Sequence, residues 1–430
     1  MATSTYSVTK SDTDVKEIWR KVQYGIVVAA NFGYEEWEWL DRLEKFDVDW
    51  SAREITVELD MNEDRNVASI PEGGYEAIPS TQTMVTATVT WILLNKRFTQ
   101  SKTAEYITQQ QGNAGQLESQ LRVQSRKGVE AIRRKWADMF YGFSSGTQAV
   151  VTSASNEVIS IEDMYSVDGL GAATSPDGVT SSNRGVGDLF RTGERIAVMT
   201  SSATFRAIST VSAISSTAGT LTVVTTIASV TTGDLIKFGN NLENTTTAAG
   251  TEHNLNTVGL LDGITTTSVH SVSGTTYPGW TNAINNSAGG RFTTVKFQRL
   301  RDAIYNGSGA EMDLAIFADG VWRDVLSQQT AALRFSDAFQ LELFADLKAK
   351  GVRLERSRRV PDGYVFGLVT KGKKPAVRKM LLLPKPEQVR QGQGYKLQDL
   401  SGNMFSIDFP CQMVWTNRKG AGMYSALTQS

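Results

Sequence analysis

The sequence contains very few of the residues that most often build covalent or metal centres. Cys411 is the single cysteine among 430 residues, which excludes an internal disulfide framework and a cysteine-based zinc site. Histidine occurs only at positions 253 and 270, so a histidine-rich metal site is not expected. Both His253 and His270 lie in loop sequence rich in Ser, Thr and Asn, where we expect exposed side chains. Cys411 follows Pro410 in an apolar strand pattern, so we expect a buried and inert thiol.

Long apolar runs are also absent. No apolar stretch approaches the ~20 residues that a membrane-spanning helix needs. The opening sequence MATSTYSVTKSDTD lacks the basic-then-apolar arrangement of a signal peptide. The formal net charge is −1, so there is no bulk attraction to nucleic acid or to anionic membranes. We expect a soluble protein made in a cytosol, with no membrane partner.

The motifs of common enzymes are missing as well. The chain contains no G-x-x-x-x-G-K-[ST], G-x-S-x-G, H-E-x-x-H or C-x-x-C pattern. The glycine pairs beginning at Gly169 and Gly307 lack the preceding strand and following helix of a dinucleotide-binding loop. Neighbouring carboxylates such as Glu35 and Glu36 fall on polar helix faces. We therefore expect a protein that is not an enzyme, with no catalytic, cofactor-binding or metal-binding residues.

The most distinctive stretch is a predicted hairpin. Arg53–Asp60 and Thr83–Thr99 alternate between apolar and polar residues, which is typical of strands with one exposed face. The turn-rich tip Met61–Gln82 joins them. Because an isolated hairpin is at best marginally stable in water, we expect its apolar face to pack on another surface, most simply another copy of the chain.

A long helix is predicted after the hairpin, over Gln116–Tyr141. Apolar or small residues recur on roughly one face of it: Leu117, Leu121, Gly128, Ile132, Trp136 and Met139. Basic residues lie largely elsewhere: Arg122, Arg126, Lys127, Arg133, Arg134 and Lys135. This basic face is either an ordinary solvated helix surface or a surface that contacts DNA phosphates without sequence specificity.

The composition changes between residues 144 and 290, which are rich in Ser, Thr, Gly, Ala and Val. Phe190–Val198 and Val230–Phe238 share the pattern apolar-x-Thr-Gly-x-x-Ile-x-apolar, an internal echo within this region. Val211–Ile214 and Thr220–Thr225 are predicted strands that a turn separates. We interpret Gly185–Gly239 as the core of a small all-β module inserted into the host fold.

The remaining chain has α/β character. Helices are predicted over Thr294–Tyr305, Asp319–Gln328 and Phe339–Lys350, and strands over Asp313–Phe317, Arg353–Arg356, Val365–Val369 and Lys379–Leu383. This pattern is typical of a mixed sheet with helices packed against it, in an α+β fold.

This order of parts resembles the major capsid proteins of tailed bacteriophages, which share the Hong Kong 97-type capsid fold. Ala87–Gln100 and Trp136–Gly142 are similar to the family's extended loop and the end of its spine helix. Val258–Ile264 and Tyr277–Trp280 are similar to the entry into its axial domain. Val352–Gly363 is similar to the segment before its closing strands.

The resemblance implies five regions. They are an N-terminal arm and helix at 1–50, an extended β-hairpin loop at 51–100, a peripheral domain with the spine helix at 101–150, a Ser/Thr-rich region with the β module at 151–258, and an axial domain with closing peripheral strands at 259–430.

The resemblance also implies a function. The chain would be a structural subunit of a virion, assembling with itself into hexamers and pentamers of an icosahedral shell around double-stranded DNA. Expected partners are a separate scaffolding protein, a portal and a decoration protein, and assembly would occur in the cytoplasm of a host bacterium. The tip Met61–Gln82 contains no lysine, so the covalent crosslink of some family members is not expected.

Two alternatives remain open at the level of sequence. An encapsulin-like compartment shell with an enzyme cargo would have the same fold. A carbohydrate-binding or adhesion protein would instead use the β module.

Overall fold

The computed structural model describes residues 43–44, 54–62, 69, 72, 83–90, 92–101, 128, 131–132, 135–137, 139–141, 147–155, 157–163, 190–201, 204–215, 219–227, 229–238, 258–287, 289–333, 348–349, 351–357, 359–361, 363–372, 375–381, 395–396 and 402–427. The chain forms two compact units. The first comprises Met1–Glu38, Leu93–Lys135 and Leu382–Pro410, and the second comprises Trp39–Ile92, Trp136–Leu381 and Cys411–Ser430.

The predicted hairpin is present in the second unit. Strand β1 (Glu54–Asn62) pairs antiparallel with β2 (Thr83–Thr90), with a register irregularity between Asp60 and Asn62. The residues predicted as the return strand, Thr83–Thr99, are strand wherever they are described, but their pairing with the first strand ends at Thr90. A separate strand, β3 (Ile92–Ser101), follows. It pairs with the strand Gly402–Trp415, which lies near the C-terminus of the sequence. The reason is that Glu54, the first residue of β1, already pairs with Thr90, so β1 offers no partner further along.

A closed six-stranded antiparallel barrel follows in the described chain. Its strands are β4 (Thr147–Ser155), β5 (Val158–Asp163), β6 (Arg195–Met199), β7 (Phe205–Ser215), β8 (Thr220–Val223) and β9 (Leu235–Phe238). They close in the order β4-β5-β8-β7-β6-β9, and closure leaves no unpaired sheet edge. The core consists of the buried side chains Ala149, Val151, Ile159, Ile161, Phe190, Ile196, Val198, Val211, Leu221, Val223, Ile227 and Ile236.

The strand predicted at 211–214 is confirmed as part of β7, and the strand predicted at 220–225 is confirmed as far as Val223, the end of β8. The two strands pair through Ser215 and Thr220. The predicted module core, 185–239, supplies β6 to β9. Strands β4 and β5 lie before that core, so the barrel also includes Thr147–Ser155 and Val158–Asp163.

The internal echo forms two matching turns that lead into β6 and β9. Gly193 and Gly233 occupy equivalent positions with φ of 84° and 91°, a conformation that glycine adopts without steric cost. In each turn an acidic side chain accepts a hydrogen bond from the backbone three residues earlier: Arg191 N–H to Glu194 Oε2 at 3.2 Å, and Thr231 N–H to Asp234 Oδ2 at 2.8 Å.

Both turns dock on the barrel in the same way. Gly193 N–H donates to Val211 O and Val211 N–H donates to Glu194 O, each at 2.8 Å. Gly233 and Asp234 make the same pair of 2.8 Å bonds with Val151. Strands β6-β7-β8 and β9-β4-β5 are therefore two equivalent halves, and β6 and β9 pair antiparallel where the halves meet.

After the barrel come α1 (Leu260–Thr265), β10 (Ser268–Val269), β11 (Val272–Ser273), β12 (Ile284–Asn286), α2 (Thr294–Ser308), β13 (Leu314–Phe317), α3 (Asp319–Leu333), β14 (Lys348–Ala349), β15 (Val352–Arg356), β16 (Val365–Leu368), β17 (Val377–Leu381), β18 (Tyr395–Lys396), β19 (Gly402–Trp415) and β20 (Ala421–Tyr424). Short 3₁₀ turns cover Pro278–Trp280 and Arg418–Gly420.

A mixed six-stranded sheet in the second unit has the order β12-β20-β16-β13-β15-β14. The pairs β12–β20 and β13–β15 are parallel, and the other pairs are antiparallel. Every residue of β13, β16 and β20 is buried, as expected for strands covered on both faces. Leu300 of α2 packs where Gly367 and Gly422 leave room on this sheet.

The helices of this region match the predictions in part. Those predicted from Thr294 and from Asp319 are confirmed, and α2 is bounded by an N-cap at Thr293 and a left-handed C-cap at Gly309. The helix predicted over Phe339–Lys350 is wrong at its end. Lys348–Ala349 is strand β14, because Gly351 with φ of 85° turns the chain back onto β15. Residues 339–347 lie outside the described residues.

Strand β19 carries pairing partners in both units. In the second unit β17 pairs with it from Val377↔Trp415 to Leu381↔Cys411, and in the first unit β18 pairs with Asn403 and Met404. Cys411 is buried as predicted, and burial raises the pKa of its thiol. The described residues between 128 and 141 are helical, and Gly128, Ile132, Trp136 and Met139 are buried as the predicted apolar face requires.

Candidate functional site: the hairpin and its support

The hairpin β1–β2 has two distinct faces. Its inner face contains Leu59, Ala87 and Val89, which are 7%, 0% and 0% exposed. Its outer face contains the exposed residues Thr56, Glu58, Asp60, Met84, Thr86 and Thr90. The expectation that the apolar face packs on another surface is confirmed, but for these strands that surface belongs to the same chain and not to another copy.

The residues that hold the hairpin come from the support segment, residues 258–290, and from the end of β19. The second edge of β2, opposite β1, receives two hydrogen bonds. Thr88 N–H donates to His270 O at 3.1 Å. Gln412 Nε2 donates to Thr90 O at 2.7 Å. Polar groups on an otherwise unpaired strand edge are satisfied in this way.

Gln412 is 4% exposed, and its amide is bonded at both ends. While Nε2 binds the hairpin, Oε1 accepts from the backbone N–H of Val258 at 3.1 Å and of Met413 at 3.0 Å. One buried side chain therefore joins β2, the start of the support segment and β19. A buried amide satisfied in three directions is costly to remove, because each partner left behind is a desolvated polar group.

His270 lies in a tight hairpin turn between β10 and β11. His270 and Ser271 have φ of 52° and 65°, as a two-residue type I′ turn requires, and histidine is among the residues more often found there. The turn directs the His270 carbonyl toward Thr88. The predicted exposure of this residue is wrong: His270 is 9% exposed.

The His270 ring packs against the C-terminal hairpin. Its Nε2 accepts a hydrogen bond of 3.1 Å from Trp415 N–H. Burial, and secondarily the positive charge of Arg418, lower the pKa of His270 from 6.5 to about 4, while a backbone hydrogen bond with Met413 acts in the opposite direction. The imidazole is therefore neutral at physiological pH and can act as an acceptor.

Arg418 is buried beneath the support segment at 2% exposure. Its Nε donates to Gly263 O at 2.7 Å and its Nη1 to Trp280 O at 2.8 Å, with further bonds to the carbonyls of Thr266 and Thr267. Three of these carbonyls lie at or just beyond the C-terminal end of α1, where a cation is favoured. Desolvation lowers the pKa of Arg418 to about 10, so it stays charged at neutral pH.

Two close approaches complete the support. A Cβ at Gly263 would lie 1.8 Å from Cζ2 of Trp415, so the indole ring fits only against glycine. A Cβ at Gly279 would lie 3.2 Å from the Met61 carbonyl of β1. The hairpin is thus held near its base at Thr88 and Thr90 and is approached near its far end at Met61.

The described residues contain no group of three or more His, Cys, Asp or Glu that could hold a metal ion. No helix within the described part of the chain is long and apolar enough to cross a membrane. The site consists of a supported hairpin surface, and its described polar groups act by positioning backbone.

Comparisons with known proteins identify the fold. No family model and no curated protein matches the sequence. Among solved structures, the capsid asymmetric unit of cyanophage A-1(L) matches with a TM-score of 0.55 and 10% identity, covering 94% of this chain and 96% of that chain. The chain has a phage capsid fold. The resemblance predicted from the sequence is thereby confirmed at the level of the fold.

Two other solved structures align over similar lengths. The capsid of an empty GTA particle has a TM-score of 0.47 and 10% identity, over 93% of this chain and 99% of that chain. The SrpI encapsulin complex from Synechococcus elongatus has a TM-score of 0.43 and 10% identity, over 95% of each chain.

Of the six residues that form the predicted basic face, the structure describes one. Lys135 is helical and half-buried. Arg122, Arg126, Lys127, Arg133 and Arg134 lie outside the described residues, so their role as a DNA-facing surface stays a prediction.

The residues that support the hairpin in this capsid fold were not singled out in the sequence, apart from His270. Gln412 and Arg418 belong to no motif. The available signal is indirect: a polar residue at 412 lies between the apolar residues Cys411 and Met413, and an arginine follows at position 418. Neither pattern indicates which distant carbonyl is bound.

Proposed function

We propose that the chain is the major capsid protein of a tailed phage, a structural subunit that assembles into an icosahedral shell around double-stranded DNA. The observation that carries the proposal is the likeness to a phage capsid subunit over nearly the full length of both chains. The lack of enzyme motifs in the sequence is consistent with a structural role.

The hairpin supports this function because of the surface that it presents. Its inner face is buried within the chain, and its outer face displays Thr56, Glu58 and Thr86 with Met84, which is 63% exposed. A strand pair anchored on one face and open on the other is suited to contact a neighbouring subunit. Hexamers and pentamers built from the same chain would each use this outer face.

The finer architecture is also part of the proposal. The hairpin corresponds to the extended loop of the Hong Kong 97-type fold, the helical residues up to Tyr141 to its spine helix, the six-stranded sheet to its axial domain, and the barrel to an inserted module. The regions 1–50, 51–100, 101–150, 151–258 and 259–430 are proposed on the same basis.

The proposed partners are further copies of the chain, packaged DNA, a separate scaffolding protein, a portal and a decoration protein. The proposed site of assembly is the cytoplasm of a bacterial host, and the mature location is the virion. The absence of lysine from Met61–Gln82 favours noncovalent contacts between subunits.

Electron microscopy of the purified chain, alone and with a candidate scaffold protein, tests the proposal. We expect closed icosahedral particles of uniform diameter. A chain that stays monomeric under all of these conditions would contradict it. Particles that form in cells but enclose a protein cargo instead of DNA would retain shell formation and favour the encapsulin-like alternative.

A carbohydrate-binding role for the barrel is the other alternative. The apolar core of the described barrel strands is buried, and no observation of those residues favours this alternative over shell formation.

A further inference from the structure

We propose that Gln412 is a positioning residue for assembly: it fixes β1–β2 on the body of the subunit, and so sets the orientation in which the outer face meets a second copy. The inference rests on the proposed function for its second half. Its first half concerns one subunit and stands on the hydrogen bonds of that subunit.

The first step is the position of the Gln412 bond on the hairpin. Thr90, the last residue of β2, pairs with Glu54, the first residue of β1, and this pair forms the base of the hairpin. A rotation of the hairpin about its base moves its far end by the largest distance. A restraint on Thr90 and Thr88 therefore acts on the orientation of the whole strand pair, although it touches only the base.

The second step is the rigidity of the restraint. The amide of Gln412 is held by two backbone N–H groups while it donates to Thr90 O, so its side chain has little freedom to follow a moving strand. β19 itself is paired with β17 at this point through Met380↔Gln412. The hairpin is thus tied to a strand inside a sheet.

The third step is the second contact, two residues away. Thr88 N–H donates to His270 O, and the His270 ring is fixed in turn by Trp415 N–H of the same strand β19. Both restraints on the edge of β2 therefore lead back to β19, one directly and one through the β10–β11 turn. Without the Gln412 bond, the bond from Thr88 N–H to His270 O is the remaining hydrogen bond to the second edge of β2 in the described residues.

The decisive variant is Gln412→Met, which keeps the unbranched shape and removes both hydrogen-bonding ends. Gln412→Glu is a second variant, because its carboxylate still accepts from Val258 and Met413 but cannot donate to Thr90. Gln298→Met is the matched control, since Gln298 is exposed on α2. The two Gln412 variants together separate loss of the hairpin bond from general loss of stability.

The orientation of the hairpin is measured by spin labels on the unassembled subunit. Glu58→Cys on the outer face and Asn306→Cys on α2 place labels at two exposed positions of the second unit. Cys411 is buried with a raised thiol pKa and does not compete for the label. Both Gln412 variants are expected to broaden the distance distribution roughly twofold relative to Gln298→Met, as a freed strand pair samples more orientations.

Hydrogen exchange provides an independent readout on the same proteins. The Thr88 amide is expected to exchange about tenfold faster in the Gln412 variants, while the Ile236 amide in the barrel keeps its rate, because opening is local. Unchanged spin-label distances and unchanged Thr88 exchange would overturn the positioning role.

Particle imaging tests the second half. We expect the Gln412 variants to form particles of mixed diameter, where the parent and Gln298→Met form uniform ones. Broadened distances with uniform particles would overturn the link to assembly. If the parent itself forms no particles, the proposed function and the link to assembly both fail, while the spin-label and exchange data still decide whether Gln412 fixes the hairpin.

Discussion

Nε2 of His270 accepts a hydrogen bond of 3.1 Å from the backbone N–H of Trp415, which joins the β10–β11 turn to the end of β19. Only the neutral imidazole can accept this bond. Arg418 lies close enough for its charge to lower the pKa of the same ring. The turn that holds β2 therefore depends on the protonation state of one buried side chain.

The first prediction concerns the pH dependence of stability. The folded-state pKa of His270 is about 4, against 6.5 for the ordinary side chain. Between pH 6.5 and 4 the unfolded chain binds more protons than the folded chain. The free energy of unfolding is therefore not reduced by this histidine above pH 6.5, and it decreases as the pH falls toward 4. The full loss is about 3 kcal/mol, at about 1.4 kcal/mol per pKa unit. Urea unfolding of the subunit across this range measures it.

His270→Asn is the control for that prediction. Asparagine tolerates a positive φ and does not titrate. The free energy of unfolding of this variant should depend less on pH between 6.5 and 4 than that of the parent. Equal slopes in the two proteins would contradict a buried neutral histidine.

The second prediction concerns the contact between Gly263 and Trp415. Gly→Ala within a helix normally stabilises by about 1 kcal/mol. Gly263→Ala should instead destabilise by roughly 3 kcal/mol, because the new methyl group would overlap the indole ring at 1.8 Å. Thermal unfolding measures the change.

A double-mutant cycle separates overlap from other causes. In a Trp415→Leu background the smaller side chain leaves room, so Gly263→Ala should cost much less than it does in the parent. Additive effects of the two substitutions would show that the ring is not the origin of the cost.

The sequence predicted those parts of the fold in which local pattern and tertiary environment agree. The alternation in Arg53–Asp60 and the apolar spacing from Thr294 both appear as expected, since each element buries the face that its pattern defines. The break after Thr90 was not predictable in this way. After Val89 the alternation gives way to the apolar run Trp91–Leu94, and that run does not indicate that β2 pairs with β1 while β3 pairs with β19.

The hairpin support shows why the candidate site was harder to predict. The polar neighbours of His270 in the sequence predict an exposed loop. Its environment is set by Trp415 and Arg418, which lie almost 150 residues away. Gln412 and Arg418 likewise bind backbone carbonyls, and a carbonyl partner leaves no signature in the sequence of either residue.

The third prediction concerns Arg418. Its planar guanidinium reaches three carbonyls around the end of α1 and the carbonyl of Trp280, which the single ammonium of lysine cannot match. Arg418→Lys should therefore lower the free energy of unfolding by about 2–4 kcal/mol, since buried carbonyls lose their donors. Chemical denaturation measures this change. Arg299→Lys on the exposed face of α2 is the matched control and should change stability by less than about 0.5 kcal/mol. Similar effects at both positions would contradict the assigned role.

The fourth prediction compares the two equivalent turns of the barrel. Asp234 is 2% exposed, accepts hydrogen bonds from Thr231 N–H at 2.8 Å and from Arg206 Nη2 at 3.2 Å, and forms an ion pair with Arg206. Glu194 is less buried and accepts from Arg191 N–H at 3.2 Å. Asp234→Asn should cost about 2–4 kcal/mol and Glu194→Gln less than about 1 kcal/mol, because breaking a buried charge pair costs more than weakening an exposed bond. Equal losses in thermal unfolding would contradict this difference.

The fifth prediction tests the basic helix face, whose arginines lie outside the described residues. If Arg126, Arg133 and Arg134 face packaged DNA, reversing all three to Glu should leave particles that assemble but contain little DNA, because phosphate contact depends on positive charge. Replacing the same three residues with Lys keeps the charge and should preserve packaging. The ratio of absorbance at 260 nm to that at 280 nm of purified particles measures the DNA content. Normal packaging in the Glu variant would assign this face to solvent.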